Sequence, residues 1–367
     1  KLPDPFTFEN GDSVKTKDDW EKRRSELFKS VVEIQYGKMP PEPEFLECEL
    51  ICNYNSGKML TYRVRTGRKS HPIVFKMLVF RKKPEMGLPA VINGDLCFGS
   101  VFSDNWVNSF TDEGVALVLF DRTDFAIDLM KNEKQGQLYD CYPEVDCGSI
   151  MAWAWGFSRC MDALEKLDIV RKDCISFSGH SRGGKAALLA GALDKRAFAV
   201  NSNGSGRGGS GCYRIRLECV EENGLNARDE RMSDADRFGV RNWYGPEMAA
   251  YAGREADLPF DQHYLKALVA PRILVETEAA SDTWANSVGT WETALAAKEV
   301  YKFLGAENGI YLYFRSGYHR YSGKDIRSFI SVLKHYVCGT PAKEGSFDVP
   351  FKKKDLIFDW NCPEYND

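Results

Sequence analysis

Hydrophobic patterning changes texture near Leu88. Ahead of it, "TKDDWEKRRSELFKSVVEIQYGKMPPEPEF" sets Trp20, Leu27, Val31 and Ile34 near helical spacing. Thr16 and Asp19 form a capping-box pattern at its start, and Pro40, Pro41 and Pro43 end it. "FLECELICNY", "LTYRVRTG" and "PIVFKMLVFRK" follow, rich in β-branched and aromatic residues, and predict antiparallel strands. Beyond Leu88, the short apolar runs "LPAVING", "GVALVLFD", "DCISFSG", "AFAVNSNG", "APRILVETEA" and "GIYLYFRSG" alternate with helical segments. Those segments include "SIMAWAWGFSRCMDALEKL", "GGKAALLAGAL", "TALAAKEVYKFLG" and "DIRSFISVLKHYV". Alternating strand and helix implies βαβ units, hence an α/β class with a mostly parallel sheet covered on both faces. The stretch from Cys212 to Tyr251 is charged and patternless, and predicts a long excursion above the sheet.

Composition narrows this further. The 367 residues are 43% hydrophobic and 13% aromatic, ample for one large core. One domain is expected: a helix and antiparallel strands over 1–87, an α/β core over 88–337, and a tail over 338–367 with little signal. A net charge of −4 with 28% charged residues does not suit a nucleic-acid binder. No apolar run reaches the roughly 18 residues of a membrane span. The chain begins at Lys1, so the lack of a leader there carries no weight. The 11 cysteines contain no CxxC pair, against a zinc ribbon or a thioredoxin-type centre. Buried thiols and one or two disulfides stay equally open, although Cys174, inside an apolar run, reads as a small core residue.

Candidate chemistry centres on Gly179-His180-Ser181-Arg182-Gly183, a G-x-S-x-G with a strand before it and a helix after it. A sharp strand-to-helix turn pushes the serine oxygen out of the backbone and tolerates only small neighbours. A plain glycine-rich turn is the competing explanation. The helix amides behind the serine favour developing negative charge. A serine needs a base, and 5 histidines exist. His180 adjoins Ser181 and would point away from its oxygen; His71 lies among the early strands; His263 precedes a strand; His335 falls within the last helix. His319 follows the last predicted strand at the carboxyl edge, where catalytic loops gather. The order Ser, acid, His of α/β-hydrolases then asks for a carboxylate between them. Glu276 and Glu278 still belong to a strand, whereas Asp282 lies on the loop beyond it. Asp282 is the candidate acid, with a helix N-cap near Trp284 as its alternative role. "GSGRGG" fits G-x-G-x-x-G formally, but no suitable helix follows it. Trp153 and Trp155 read as core.

At these residues a resemblance emerges. "GHSRGGKAALLAGALDKRAFA" resembles the glucuronoyl esterases, carbohydrate esterase family 15, whose signature G-x-S-R-x-G-K falls here on Gly179, Ser181, Arg182, Gly184 and Lys185. The likeness extends through "LPFDQHYLKALVAPRILVETEAASDTWANSVG", "AAKEVYKFLG" and "GYH", over roughly residues 88 to 337. It implies a three-layer α/β-hydrolase sandwich that cleaves esters between lignin alcohols and the 4-O-methyl-glucuronate branches of xylan. It implies Ser181 as nucleophile, His319 as base, Arg182 at the oxyanion hole and Lys185 on a uronate hydroxyl. Trp284 matches the sugar-facing tryptophan of the family and Trp243 another of its tryptophans. The fungal members carry a glutamate where this chain has Gly204, a departure consistent with Asp282, the acid position of some bacterial members. The family's remaining glutamine and glutamate sugar contacts fall somewhere in "CVEENGLNARDERMSDADRFGVRNWYG".

The expected activity is thus a secreted or cell-surface serine esterase, monomeric, needing no metal or organic cofactor. Its partner would be a glucuronate-bearing polysaccharide or oligosaccharide ester, with no nucleic acid and no membrane. A related carbohydrate esterase acting on acetylated xylan or pectin methyl esters is the nearest alternative. A non-catalytic carbohydrate-binding scaffold is the other, supported only by Gly204.

Overall fold

Strand residues facing opposite ways bury into two different cores, and this makes the architecture three layers. The structure is a computed structural model and describes residues 1–82, 87–129, 133–220, 226–232, 240–352 and 355–364. Its strands are β1 Phe45–Tyr54, β2 Met59–Gly67, β3 Pro72–Phe80, β4 Ala90–Asn93, β5 Ala116–Phe120, β6 Ile175–His180, β7 Ala199–Asn203, β8 Glu218–Val220, β9 Asn226–Arg228, β10 Ile273–Ala279 and β11 Ile310–Arg315. One nine-stranded sheet runs in the order β1-β2-β3-β5-β4-β6-β7-β10-β11, and β8 pairs with β9 apart from it. β1, β2, β3 and β5 pair antiparallel; β5 through β11 of the large sheet pair parallel. The three early runs and six later ones predicted as strands are these nine.

The helices used below are α1 Lys17–Phe28, α2 Asp104–Thr111, α3 Ser149–Lys166, α4 Arg182–Leu193, α5 Gln262–Val269, α6 Ser287–Phe303 and α7 Gly323–Cys338. Ile92, Val118, Phe120 and Phe177 face one core with α3, α4, α5 and α6. Val91, Leu117, Leu119 and Val275 face the other, against Trp106 and Phe110 of α2 and Phe329 and Leu333 of α7. Period-two alternation thus sends each strand's side chains to opposite layers. Trp153 and Trp155 are fully buried; their indole N–H groups donate to Ala126 O at 2.7 Å and Pro41 O at 3.2 Å.

The capping box at α1 is present: Thr16 Oγ1 accepts from the Asp19 amide at 3.1 Å and Asp19 returns a carboxylate to the Thr16 amide. The helical path continues through a π turn, Lys29–Glu33, to Gly37 at φ 87°, three residues before Pro40. Two eight-residue helices, α2 and α5, were not anticipated. Two turns supply too few apolar positions for a 3.6-residue period to declare itself. Cysteines resolve one open alternative: Cys48, Cys52, Cys97, Cys141, Cys147, Cys160, Cys174, Cys212, Cys338 and Cys362 are free thiols. No helix among the described residues is long and apolar enough to cross a membrane.

The tail holds more structure than its pattern suggests. Leu2 N donates to Ile357 O at 2.8 Å and Trp360 Nε1 to Leu2 O at 3.2 Å, so the two ends of the chain meet over α5. Beneath them His263 is fully buried, its Nε2 2.9 Å from Pro3 O. Burial holds its pKa down at about 4, from an ordinary 6.5. The unfolded chain therefore binds this proton below pH 6.5 while the folded chain refuses it until about pH 4. Stability is full above pH 6.5 and falls as pH drops through that window. Chemical denaturation at pH 7 and pH 4 should show the wild type losing up to about 3 kcal/mol more than His263→Gln across the interval.

Candidate active site

The turn from β6 into α4 is a forced geometry. Ser181 sits at φ 55° and ψ −124°, a left-handed backbone that an L-residue with a Cβ adopts only when its surroundings insist. The glycines around it are steric requirements. A Cβ on Gly179 would come within 2.2 Å of Gly183 O, and one on Gly183 within 1.8 Å of Asp95 Oδ1. Ser181 N donates to Asn203 O at 2.9 Å, and its own carbonyl accepts from Lys185 N at 3.0 Å, the first bonded turn of α4.

Asp95, fully buried beyond β4, braces this turn. One carboxylate oxygen accepts the His180 amide at 2.7 Å and the other accepts Arg122 NH1 at 2.6 Å. Arg122 is equally buried, so neither charge is left alone in the interior. Burial pushes the Asp95 carboxyl above its ordinary value, against the pull of Arg122 and the His180 N–H.

His319 lies in the loop after β11, with Nε2 2.9 Å from Ser181 Oγ and Nδ1 2.6 Å from Asp282 Oδ2. Asp282 follows β10 and is 4% exposed. Its second oxygen accepts the Ala285 amide at 3.1 Å, which orients the carboxylate. The helix beyond is capped by Asn286, whose side chain accepts from Gly289 N at 2.9 Å, rather than by Asp282. Both strand glutamates have core partners: Glu276 pairs with buried Lys266 at 2.8 Å, and Glu278 accepts from Thr290 Oγ1 at 2.9 Å. Burial, with the charge of Asp282 added, raises the Glu278 carboxyl well above its ordinary range. Gly204 occupies the remaining approach. A Cβ there would stand 3.4 Å from Asp282 Oδ2 and 3.6 Å from His319 Nδ1.

The other histidines are engaged elsewhere. His180 Nδ1 meets Asn203 Oδ1 at 2.6 Å; desolvation, then the neighbouring His319, lowers its pKa to about 3. His335 Nδ1 meets Thr340 O at 3.0 Å in α7, and His71 is exposed beside β3.

Arg182 opens α4 with its guanidinium partly exposed. NH1 donates to Asp128 Oδ2 at 2.9 Å, and the group lies 4.7 Å over the Trp243 ring. Trp243 Nε1 donates to Asp128 Oδ1 at 3.0 Å. Trp243 is only 3% exposed, so it supports Arg182 from beneath instead of presenting a face to a ligand. Trp284, half-buried, follows Asp282 closely and lends its carbonyl to Glu230 N at 3.1 Å. Lys185 is held from three sides. It is 2% exposed, and its three ammonium protons meet Ser205 O, Arg207 O and Glu230 Oε2. No donor is left over for a sugar hydroxyl in this arrangement. Its first task is to hold Glu230.

Glu230, Asp95, Arg122 and Asp128 escaped sequence reasoning. Glu230 sits in a segment crowded with carboxylates and without periodicity. The other three lie beyond β4 and β5, where nothing marks one polar residue above another.

The fungal glucuronyl esterase family matches residues 64–305. A 4-O-methyl-glucuronoyl methylesterase of Podospora anserina is 32% identical over 90% of this chain, which spans 65% of that protein's length. The chain belongs to the glucuronoyl esterase family. A carbohydrate esterase family 15 glucuronoyl esterase from Caldicellulosiruptor kristjansonii superposes with a TM-score of 0.85 at 29% identity, covering 99% of this chain and 97% of that one. A glucuronoyl esterase from Sporotrichum thermophile gives a TM-score of 0.78 at 27% identity, covering 96% and 92%. Its structure is that of a serine-to-alanine mutant in complex with methyl 4-O-methyl-β-D-glucopyranuronate. This glucuronoyl esterase relative therefore shares the α/β-hydrolase fold and a family defined by ester hydrolysis.

The packing at the elbow makes a prediction. Gly183→Ala should displace Asp95 from Arg122 and cost roughly 3–5 kcal/mol by denaturant unfolding, as breaking a buried ion pair does. Gly99→Ala, where an added Cβ meets nothing within 4 Å, should stay within about 1 kcal/mol of the wild type.

Proposed function

We propose that the chain hydrolyses glucuronoyl esters of plant cell-wall polysaccharide, 4-O-methyl-glucuronoyl links between glucuronoxylan and lignin alcohols, with Ser181, His319 and Asp282 as its triad. The observation that carries this reading is the continuous hydrogen-bonded line from Asp282 through His319 to Ser181 Oγ, in a chain of the glucuronoyl esterase family. Asp282 fixes the tautomer with Nδ1–H toward itself, leaving Nε2 unprotonated to face the serine. Ser181 Oγ attacks the C6 carbonyl as Nε2 takes its proton. The oxyanion forms at the amino end of α4, where unpaired amides, the helix dipole and the Arg182 guanidinium favour negative charge. Nε2 then hands its proton to the departing alcohol, and water resolves the acyl-enzyme by the same route.

Asp128 and Trp243 hold Arg182 so that its charge waits in place, and Lys185 holds Glu230 beside the site. Trp284 is the aromatic residue available to the sugar. A wall polysaccharide lies outside the cell, so a secreted or cell-surface enzyme, working as a monomer on one folded domain, suits this substrate. No metal or cofactor is asked for at any step.

Ser181→Ala should abolish turnover of a methyl glucuronate ester while leaving the unfolding transition in place. On methyl glucuronate, methyl galacturonate and acetylated xylose under one set of conditions, the first should give the fastest initial rate; a faster acetyl ester would favour the acetylxylan reading. Asp282→Asn should lower kcat roughly 10³–10⁴-fold, as loss of the tautomer-fixing acid does in a serine triad. Adding Gly204→Asp to that variant should restore part of the loss, since the new Cβ would stand within a carboxylate's reach of His319 Nδ1.

A further inference from the structure

His319 Nε2 must protonate the departing oxygen, so the alcohol leaves on the imidazole's side of Ser181. A cavity of about 620 Å³ is bordered by both Ser181 and His319 and can receive it. Phe98, Val101, Trp106 and Tyr321 form its apolar wall. Trp106 and Tyr321 meet edge to face at 5.7 Å, and the Arg122 guanidinium sits 4.7 Å over the Phe98 ring. The Tyr321 hydroxyl is committed to the interior, donating to Asn201 Oδ1 at 2.6 Å. The wall therefore offers aromatic surface at fixed positions, suited to a flat ring.

Charge at the same cavity is one-sided. Two guanidiniums, Arg182 and Arg320, line it, with no carboxylate among its described lining residues. Arg182 is tied to Asp128 and is already assigned to the oxyanion in the reading above. Arg320 adjoins His319 in sequence and is exposed; among the described residues its side chain has no hydrogen bond or ion pair. The acyl half of the substrate carries no charge at C6 while esterified, so it supplies no anion for this cation. The alcohol half can.

We infer that Arg320 is a specificity-determining residue that favours aromatic departing alcohols bearing a carboxylate at the end away from the carbinol. The proposal rests on the esterase reading above. The ring lies against Phe98, Trp106 and Tyr321, and its outer carboxylate pairs with the guanidinium at the cavity mouth. Because Arg320 is exposed, the pair is solvent-screened, and the preference is about two- to five-fold.

The test uses the full chain and three esters of one 4-O-methyl-glucuronoside: methyl, benzyl and 4-carboxybenzyl. In the wild type at low ionic strength, kcat/KM for the 4-carboxybenzyl ester should exceed that for benzyl by about two- to five-fold. That ratio should fall to about one in Arg320→Gln, invert in Arg320→Glu, and flatten in high salt. It is internal to each variant, so partial loss of folded protein scales both rates and leaves it unchanged. A wild-type ratio of one, or a ratio that survives Arg320→Glu, overturns the assignment. Turnover of none of the three esters overturns the esterase reading itself, whereas turnover with a flat ratio overturns Arg320 alone.

Discussion

A single buried carboxylate holds the turn that carries Ser181 in shape. Asp95 accepts the His180 amide on one side and Arg122 on the other, and it fills the space that any side chain on Gly183 would need. The strained backbone of Ser181 persists because the turn around it is pinned, His180 by Asp95, and Gly179 and Gly183 by packing that leaves no room for a Cβ. From Arg122 the same network reaches Asp128 at 3.7 Å, and from Asp128 it reaches Arg182 and the Trp243 indole. The serine's direction and the guanidinium's position therefore share one support.

Buried charge recurs around the site with the same logic. Lys185 with Glu230 and Lys266 with Glu276 are interior ion pairs whose remaining protons go to backbone or hydroxyl oxygens. Such pairs add little net stability over apolar packing, but removing one partner leaves a bare charge and is costly. Their value lies in direction. Lys266 and Thr290 occupy the glutamates of β10, leaving Asp282 as the carboxylate that His319 meets, while Lys185 fastens Glu230 beside the site. Desolvation lowers both lysine pKa values, and their carboxylate partners oppose it.

Hydrophobic alternation alone carried the nine-stranded sheet, the large helices and the strand–serine–helix elbow, because period-two and 3.6-residue patterns are consequences of which faces are buried. His319 and Asp282 could be nominated because each follows a strand at the sheet's carboxyl edge, where crossover connections place loops. Short helices were invisible for want of turns. The partners of Lys185 were not legible because a motif supplies identity but not surroundings: Ser205, Arg207 and Glu230 lie 20, 22 and 45 residues away and close on its ammonium only in three dimensions.

The amino-acid order by itself therefore determined the layers, the direction of the strands and the serine's exposure, all of which follow from local periodicity and backbone sterics. Only the folded molecule decided that Asp282, beside a strand carrying two other carboxylates, meets the imidazole, that Trp243 lies under Arg182, and that Arg320 faces an aromatic cavity. Those are distances between residues remote in the chain, set by packing of whole elements, and no local pattern encodes them.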